Sequence, residues 1–246
     1  MSEGSYSILG AAAWLPEHRE ALSVPILLST RAWSRASHLT RTLARVAHDA
    51  MMQAGLDITD VPIIVGSAFG DMDITFQLLE MCFEKSSEFS PARFQQSVHN
   101  SAVGQISVAS RNRTFSTAIA AGLRTVAMTL LESEVWLEAH GGHALVLFGD
   151  AALPSVLRQG IEYEGLAAAF VLSTERRSAM GVLSRLRRED TGLAREATLA
   201  MRPWTSNPCT PALTLYDRIV NRRSGTCVLE CERQDVSWST TYTSNL

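Results

Sequence analysis

Apolar residues recur at two different spacings along this chain, and the spacings alternate. Residues 5 to 15 (SYSILGAAAWL) form a short apolar run that predicts an opening strand and turn. From 35 to 54 the step lengthens. Leu39, Leu43, Val46, Ala47, Ala50, Met51 and Ala54 recur every three or four residues, which lays one apolar stripe along a helix. Gly55 follows where a left-handed C-cap is wanted. Pro62 to Gly66 (PIIVG) predicts a buried strand, and Asp71 is placed to cap a helix over 72–84. Ser90-Pro91 breaks the chain before a helix over 94–109. A strand from Thr114 to Ala118 then runs through the small-residue turn Ile119 to Gly122 into a helix ending near 139, at Gly141-Gly142.

Further apolar runs predict strands at His143 to Phe148, Leu166 to Ser173 and Met180 to Leu186. Thr210-Pro211 is an N-cap and first-turn pair for a helix with Leu213, Tyr216, Ile219 and Val220 on one face. Thr226 to Glu230 and Val236 to Tyr242 are expected to pair as a closing hairpin. Strands alternating with helices indicate an α/β domain. The expected organisation is one domain over 1–190 with a C-terminal helix and hairpin appendage over 191–246.

Composition narrows the function classes. The 246 residues are 46% hydrophobic and 19% charged, a globular balance rather than a disordered one. The net charge of −3 provides no field to gather nucleic acid or an anionic membrane, so neither is an expected partner. Lys85 is the only lysine, so the basic charge is almost wholly arginine. Cys82, Cys209, Cys227 and Cys231 form no CxxC pair and read as free thiols in a reducing cytoplasm. No secretory leader is recognisable, and no apolar run approaches the roughly 18 residues of a membrane span. The expected location is cytoplasmic.

Local chemistry yields no catalytic constellation. His140-Gly-Gly-His143 lacks a third ligand at a recognisable spacing, so no metal is expected. Gly66-Ser-Ala-Phe-Gly70 follows a strand as phosphate loops do, but lacks the full glycine fingerprint and the lysine. His99, Asn100 and Ser101 are neighbours that cannot face one another on a helix. No cofactor is expected.

Two linked stretches carry a resemblance. The first is SPARFQQSVHNSAVGQISV, from Ser90 to Val108. The second is STAIAAG, from Ser116 to Gly122, followed by a long helix and the strand from His143. Together they resemble the N-terminal half of β-ketoacyl synthases, and most closely the short stand-alone β-ketoacyl synthase-like N-terminal domain family, whose members often show SVHN and STAIAAG. Such relatives occur beside full ketosynthases in gene clusters for aryl polyene pigments, as the partner in a ketosynthase/chain-length-factor heterodimer.

The resemblance implies a thiolase-like α/β fold, its N-terminal half a mixed five-stranded sheet between helices, with a truncated C-terminal appendage. In active ketosynthases the second stretch reads Thr-Ala-Cys-small-Ser-Gly. Aligning Thr117, Ala118 and Gly122 puts Ile119 at the cysteine position. An aliphatic side chain cannot attack a thioester. The histidines used for decarboxylation belong to the C-terminal half of the full enzyme, which is largely missing from the sequence.

The implied role is a non-catalytic, chain-length-factor-like subunit. It would pair with a full-length ketosynthase and meet an acyl carrier protein through that complex. The implied dimer interface is Thr114, Phe115, Ser116, Thr117, Ala118 and Asn100. The implied acyl-tunnel wall is Phe94, with Gln95, Val98 and His99 as further candidates. A core aromatic is the competing reading of Phe94. The competing function is an independent thiolase-like acyltransferase using a residue other than cysteine, with His99 or Ser116 as candidates.

Overall fold

The structure is a computed structural model that describes residues 4–15, 30–84, 90–158, 163–175, 179–190, 206–230 and 236–245. Its strands are β1 (Ser5–Trp14), β2 (Ile63–Gly66), β3 (Ser116–Ile119), β4 (His143–Asp150), β5 (Leu166–Ser173), β6 (Gly181–Ser184), β7 (Arg187–Asp190), β8 (Gly225–Val228) and β9 (Val236–Ser244). Its helices are α1 (Thr30–Arg35), α2 (His38–Ala54), α3 (Met72–Phe83), α4 (Pro91–Ser97), α5 (Ser101–Ser110), α6 (Thr125–His140), α7 (Ser155–Arg158) and α8 (Thr210–Val220).

The helices begin and end where local chemistry dictates. Ser37 caps α2 by accepting from the Thr40 N–H, and Gly55 closes it at φ 63. Asp71 caps α3 by accepting from the Ile74 N–H. For α8 the cap position falls to Cys209, and Thr210 is the first helical residue. Its buried face carries Leu213, Leu215 and Ile219, while Val220 is exposed, which shifts the expected stripe. The continuous helix expected over 94–109 is instead two helices. Ser90 and Pro91 start α4, and Val98 then takes an extended conformation (ψ 142) that interrupts it before α5.

The strands form one mixed sheet in the order β3-β2-β4-β5-β1-β6-β9-β7. The five expected strands are its first part, and the sheet does not stop there. β9 pairs antiparallel with β6 and with β7, and β8 pairs with β9. The closing hairpin is therefore part of the same nine-stranded sheet as β1. Cys231, between the hairpin strands, lies outside the described residues.

Period-two alternation sorts the strand residues into two cores. Ile63, Val65, Leu145, Leu147, Ala167 and Ala169 face α2 and α5. Ile64, Val146, Phe148, Phe170 and Leu172 face α6 and α8. Strands buried on both faces read as unbroken apolar runs, which is why β2, β4 and β5 are legible in the sequence. Each fully buried Leu, Ile, Val or Phe contributes about 1.5–3 kcal/mol.

Sheet and helix approach closely at Gly10 of β1, where a Cβ would lie 2.1 Å from the Ala50 carbonyl oxygen of α2. Gly10→Ala should therefore lower stability by about 1–3 kcal/mol through overpacking, read as a drop in the chemical-denaturation midpoint.

A polar cluster fastens α6 to the far part of the sheet. Glu134 accepts from the Leu186 N–H at 2.9 Å, and Tyr6 Oη donates to Glu138 at 3.1 Å. Arg185 pairs with Glu138. Burial raises Glu134 to about 7, and Glu138 adds to the shift while the Leu186 N–H and Arg185 oppose it. A carboxyl raised in the folded state stabilises most while protonated. Its contribution is full below the ordinary carboxylate range and is lost as pH rises through about 7. Glu134→Gln keeps the acceptor for Leu186 and removes the charge. It should leave the melting temperature unchanged at pH 5 and raise it at pH 8. For a half-buried group the gain is about 1 kcal/mol, or about 2–4 °C.

Candidate functional site: an open strand edge and the turn that follows it

β3 lies parallel to β2, with Ser116 opposite Ile63 and Ile119 opposite Gly66. The carbonyls of Phe115 and Ile119 accept from the N–H groups of Ile63 (3.0 Å) and Ser67 (3.1 Å). Backbone groups alternate along a strand, so those of Ser116 and Ala118 turn to the opposite edge. Among the described residues no strand covers that edge. Ser116 is exposed and Thr114, Phe115, Thr117 and Ala118 are half-buried. Phe115 stacks on Trp136 of α6 with ring centroids 4.3 Å apart, and Trp136 stacks on His140 at 3.9 Å.

Ile119 ends β3, and its half-buried side chain packs against the core on the α6 side. The chain then turns through exposed Ala120 and half-buried Ala121. The Ala121 N–H donates to Thr125 Oγ1 at 3.1 Å, and that hydroxyl donates to the Gly122 carbonyl at 2.7 Å. Gly122 is left-handed, at φ 56, and opens a 3-10 turn over Gly122–Arg124 that feeds α6. This is a strand–turn–helix that presents a side chain just before a helix N-terminus, where a thiolate would be stabilised. Ile119 offers only carbon there. Arg124 Nε lies 3.5 Å from Glu230, whose side chain is 2% exposed and whose oxygens accept no hydrogen bond. That ion pair ties the start of α6 to the strand β8 side of the closing hairpin.

A buried carboxylate sits beside the turn, at the carboxyl ends of β2 and β4. Asp150 accepts from Ser67 Oγ (2.6 Å), the Ala68 N–H (3.0 Å), the Phe69 N–H (2.9 Å) and, weakly, Cys209 Sγ (3.5 Å). Burial pushes its carboxyl above the usual range, and these four donors pull it back. The Gly66–Gly70 loop thus spends its amides on a carboxylate of the same chain, which excludes the phosphate-loop reading. His140 is stacked on Trp136, and its Nδ1 lies 3.0 Å from the Trp136 carbonyl oxygen. His143 Nδ1 lies 3.0 Å from Ser173 Oγ. Among the described residues no group of three His, Cys, Asp or Glu is placed to hold a metal.

The expected tunnel-wall residues fall on α4 and the break after it. Phe94 is 60% and Val98 41% exposed, and Gln95 is exposed as well. Phe94 is therefore not a core aromatic. His99 is half-buried against the loop. A Cβ on Gly70 would lie 3.2 Å from its Nδ1, and its Nε2 is buried without a hydrogen-bond partner. Asn100 is exposed and precedes α5 without making a side-chain cap. α4 packs on α3 and α5, and α5 packs on β3, so these residues and the open edge belong to one side of the molecule.

The sequence reading missed Asp150, Asn112 and Glu230. Asp150 had a signal, since Gly149-Asp150 ends an apolar strand and GSAFG ends its parallel neighbour. Asn112 and Glu230 act through contacts with distant segments and leave no local pattern.

Residues 12–239 match the family described as β-ketoacyl synthase, N-terminal domain. No curated protein matches the chain. Among solved structures the chain is similar to the ketosynthase ApeO in complex with its chain length factor ApeC from Xenorhabdus doucetiae, with a TM-score of 0.68 and 17% identity over 97% of this chain and 100% of that one. It is also similar to AntDE:AntF, a type II PKS acyl-carrier protein in complex with its ketosynthase bound to the hexaketide, with a TM-score of 0.75 and 10% identity over 99% and 100% of the two chains. The ishigamide ketosynthase/chain length factor gives 0.70 and 10% over 98% and 99%. At these identities the likeness establishes the thiolase-like ketosynthase fold. No helix among the described residues is long and apolar enough to cross a membrane.

Asp150→Ala should strand the Ser67 hydroxyl and the two loop amides in a dry site. The expected loss is about 3–5 kcal/mol, seen as a fall in melting temperature, with Asp150→Asn losing less because one acceptor oxygen remains.

Proposed function

Because the chain belongs to the β-ketoacyl synthase N-terminal domain family, we propose that it is a non-catalytic, chain-length-factor-like subunit. It pairs with an active ketosynthase and shapes that enzyme's acyl tunnel in polyene, polyketide or fatty-acid-like biosynthesis. The observation that carries this reading is the pairing of two features on consecutive residues. An edge strand is left open at Ser116 and Ala118, and it leads directly into a nucleophile turn that holds Ile119. The edge supplies the docking surface, through Thr114 to Ala118 and Asn100. The turn supplies no nucleophile, so acyl transfer belongs to the partner.

Phe94, with Gln95, Val98 and His99 near it, forms the wall against which the growing chain stops. An apolar side chain that is 60% exposed in the single chain gains its hydrophobic stabilisation only when a partner covers it. Overfilling the closed tunnel by one extension step costs about 1–3 kcal/mol, enough to disfavour it roughly tenfold or more. The acyl carrier protein reaches the chain only through the complex. Within the chain the division into a 1–190 domain and a 191–246 appendage is one of role, the first bearing the docking edge and the second bracing it. Function in the cytoplasm is part of the same reading.

Co-expression with a full-length ketosynthase from the same genome should yield a stable one-to-one complex. Incubation of this chain with acyl thioesters of an acyl carrier protein should leave its mass unchanged. A chain indifferent to the ketosynthase, or one carrying a covalent acyl adduct on His99 or Ser116, would sink the proposal. Within the complex, Phe94→Ala should lengthen the product, measured by mass spectrometry of the released chains.

A further inference from the structure

The chain is acidic overall, with 25 Asp and Glu against 22 Lys and Arg. Yet from Phe89 to Leu131 no Asp or Glu occurs, while Arg93, Arg111, Arg113 and Arg124 do. That stretch includes α4, α5, β3 and the turn into α6, so the basic segment coincides with the open edge.

Arg111 and Arg113 mark the corner where the chain leaves α5 for β3. Arg111 is the C-cap of α5 in the left-handed region, at φ 58, where glycine or asparagine is favoured over a long side chain. Asn112 between them is buried. Its amide donates to the carbonyls of Ile58 and Val61, and its Oδ1 accepts from the Thr114 N–H (2.8 Å) and hydroxyl (2.7 Å). The corner is therefore pinned from inside while both arginines remain exposed. Neither forms an ion pair among the described residues. Two exposed guanidiniums held on a pinned corner next to the open edge suggest a use outside the single chain.

We infer that Arg111 and Arg113 are a preset pair of cations that receives carboxylates of the partner ketosynthase and biases β3 against pairing with a second copy of this chain. The inference rests on the β3 docking proposed above. A two-fold pairing of identical edges runs antiparallel, so the Arg111–Arg113 corner of one copy faces the Ala120–Arg124 side of the other, at both ends of the strand. The segment on that side contains no acid, and Glu230 beneath it is already engaged by Arg124. Self-pairing thus opposes cation to cation. A ketosynthase with Asp or Glu on the matching side of its own edge strand gains charge-assisted hydrogen bonds instead.

The test is a charge reversal, R111E/R113E, with R222E as a control on an exposed arginine of the loop after α8. Affinity for the ketosynthase is measured by titration calorimetry at 50 mM and 500 mM NaCl. The double variant should bind about tenfold or more weakly at low salt, the gap should shrink at high salt, and R222E should bind as the unaltered chain does. Equal affinities at low salt, or a loss insensitive to salt, would overturn the inference. So would a loss of carrier-protein docking with ketosynthase affinity unchanged, which would reassign the corner. A second arm needs no ketosynthase. Sedimentation of each chain alone should show R111E/R113E self-associating more tightly than the unaltered chain at low salt, with hydrogen-exchange protection at Ser116 and Ala118. If the unaltered chain ignores the ketosynthase, the docking proposal fails. The self-association result still decides the charge inference, and equal self-association would overturn it.

Discussion

A β-sheet satisfies its backbone by pairing, so the strand left at its border governs what the molecule must do next. At one end of this sheet β9 is long enough to take β6 and β7 in succession and β8 besides. At the other end stands β3, four residues long, with β2 alone as its neighbour among the described residues. Natural edges are usually blunted by proline, lysine or a bulge. β3 has the sequence Ser-Thr-Ala-Ile and carries none of these within it. Arg111 and Arg113 flank the strand rather than interrupt it, so they leave its ladder free.

The same border connects the other features of the site. The Ser67 N–H reaches across from the end of β2 to the Ile119 carbonyl, while the Ser67 hydroxyl binds Asp150 at the end of β4. Three neighbouring strands are thereby locked at their carboxyl ends by one short loop. Cys209, at the head of α8, touches the same carboxylate, so the C-terminal helix is registered on the turn. Glu230, two residues beyond β8, does likewise through Arg124. A C-terminal segment joined this way braces the turn instead of hanging from the domain.

Much of this was readable in the sequence because it rests on local rules. The stripe from Leu39 to Met51, the caps at Ser90, Asp71 and Gly55, and the unbroken apolar runs of β2, β4 and β5 each encode their element within a few residues. The strings SVHN and STAIAAG carried the family. The break at Val98 was missed because nothing at Ser97-Val98-His99 forbids a helix; packing of α4 on α3 and of α5 on β3 overrides the weak local preference. The width of the sheet was missed because short strands such as β7 gain their stability from partners distant in sequence. Asn112 and Asp150 were missed for a related reason. A buried polar side chain is defined by what it satisfies, and Ile58, Val61 and the Ser67 loop lie far away along the chain.

The turn at Ile119 separates architecture from chemistry. What holds it are the Thr125 hydroxyl, the left-handed Gly122 and the Arg124–Glu230 pair, and none of these contacts involves the side chain at 119. The turn therefore does not depend on the side chain at 119, and Ile119 adds apolar contact with the core on the α6 side. A reactive thiolate makes a different demand, since its charge needs amides or a cation kept unoccupied. Here the Ala121 amide is committed to Thr125, and Arg124 is engaged by Glu230. The surroundings of position 119 are thus built to stabilise the turn itself, a construction consistent with the function proposed for the adjoining edge.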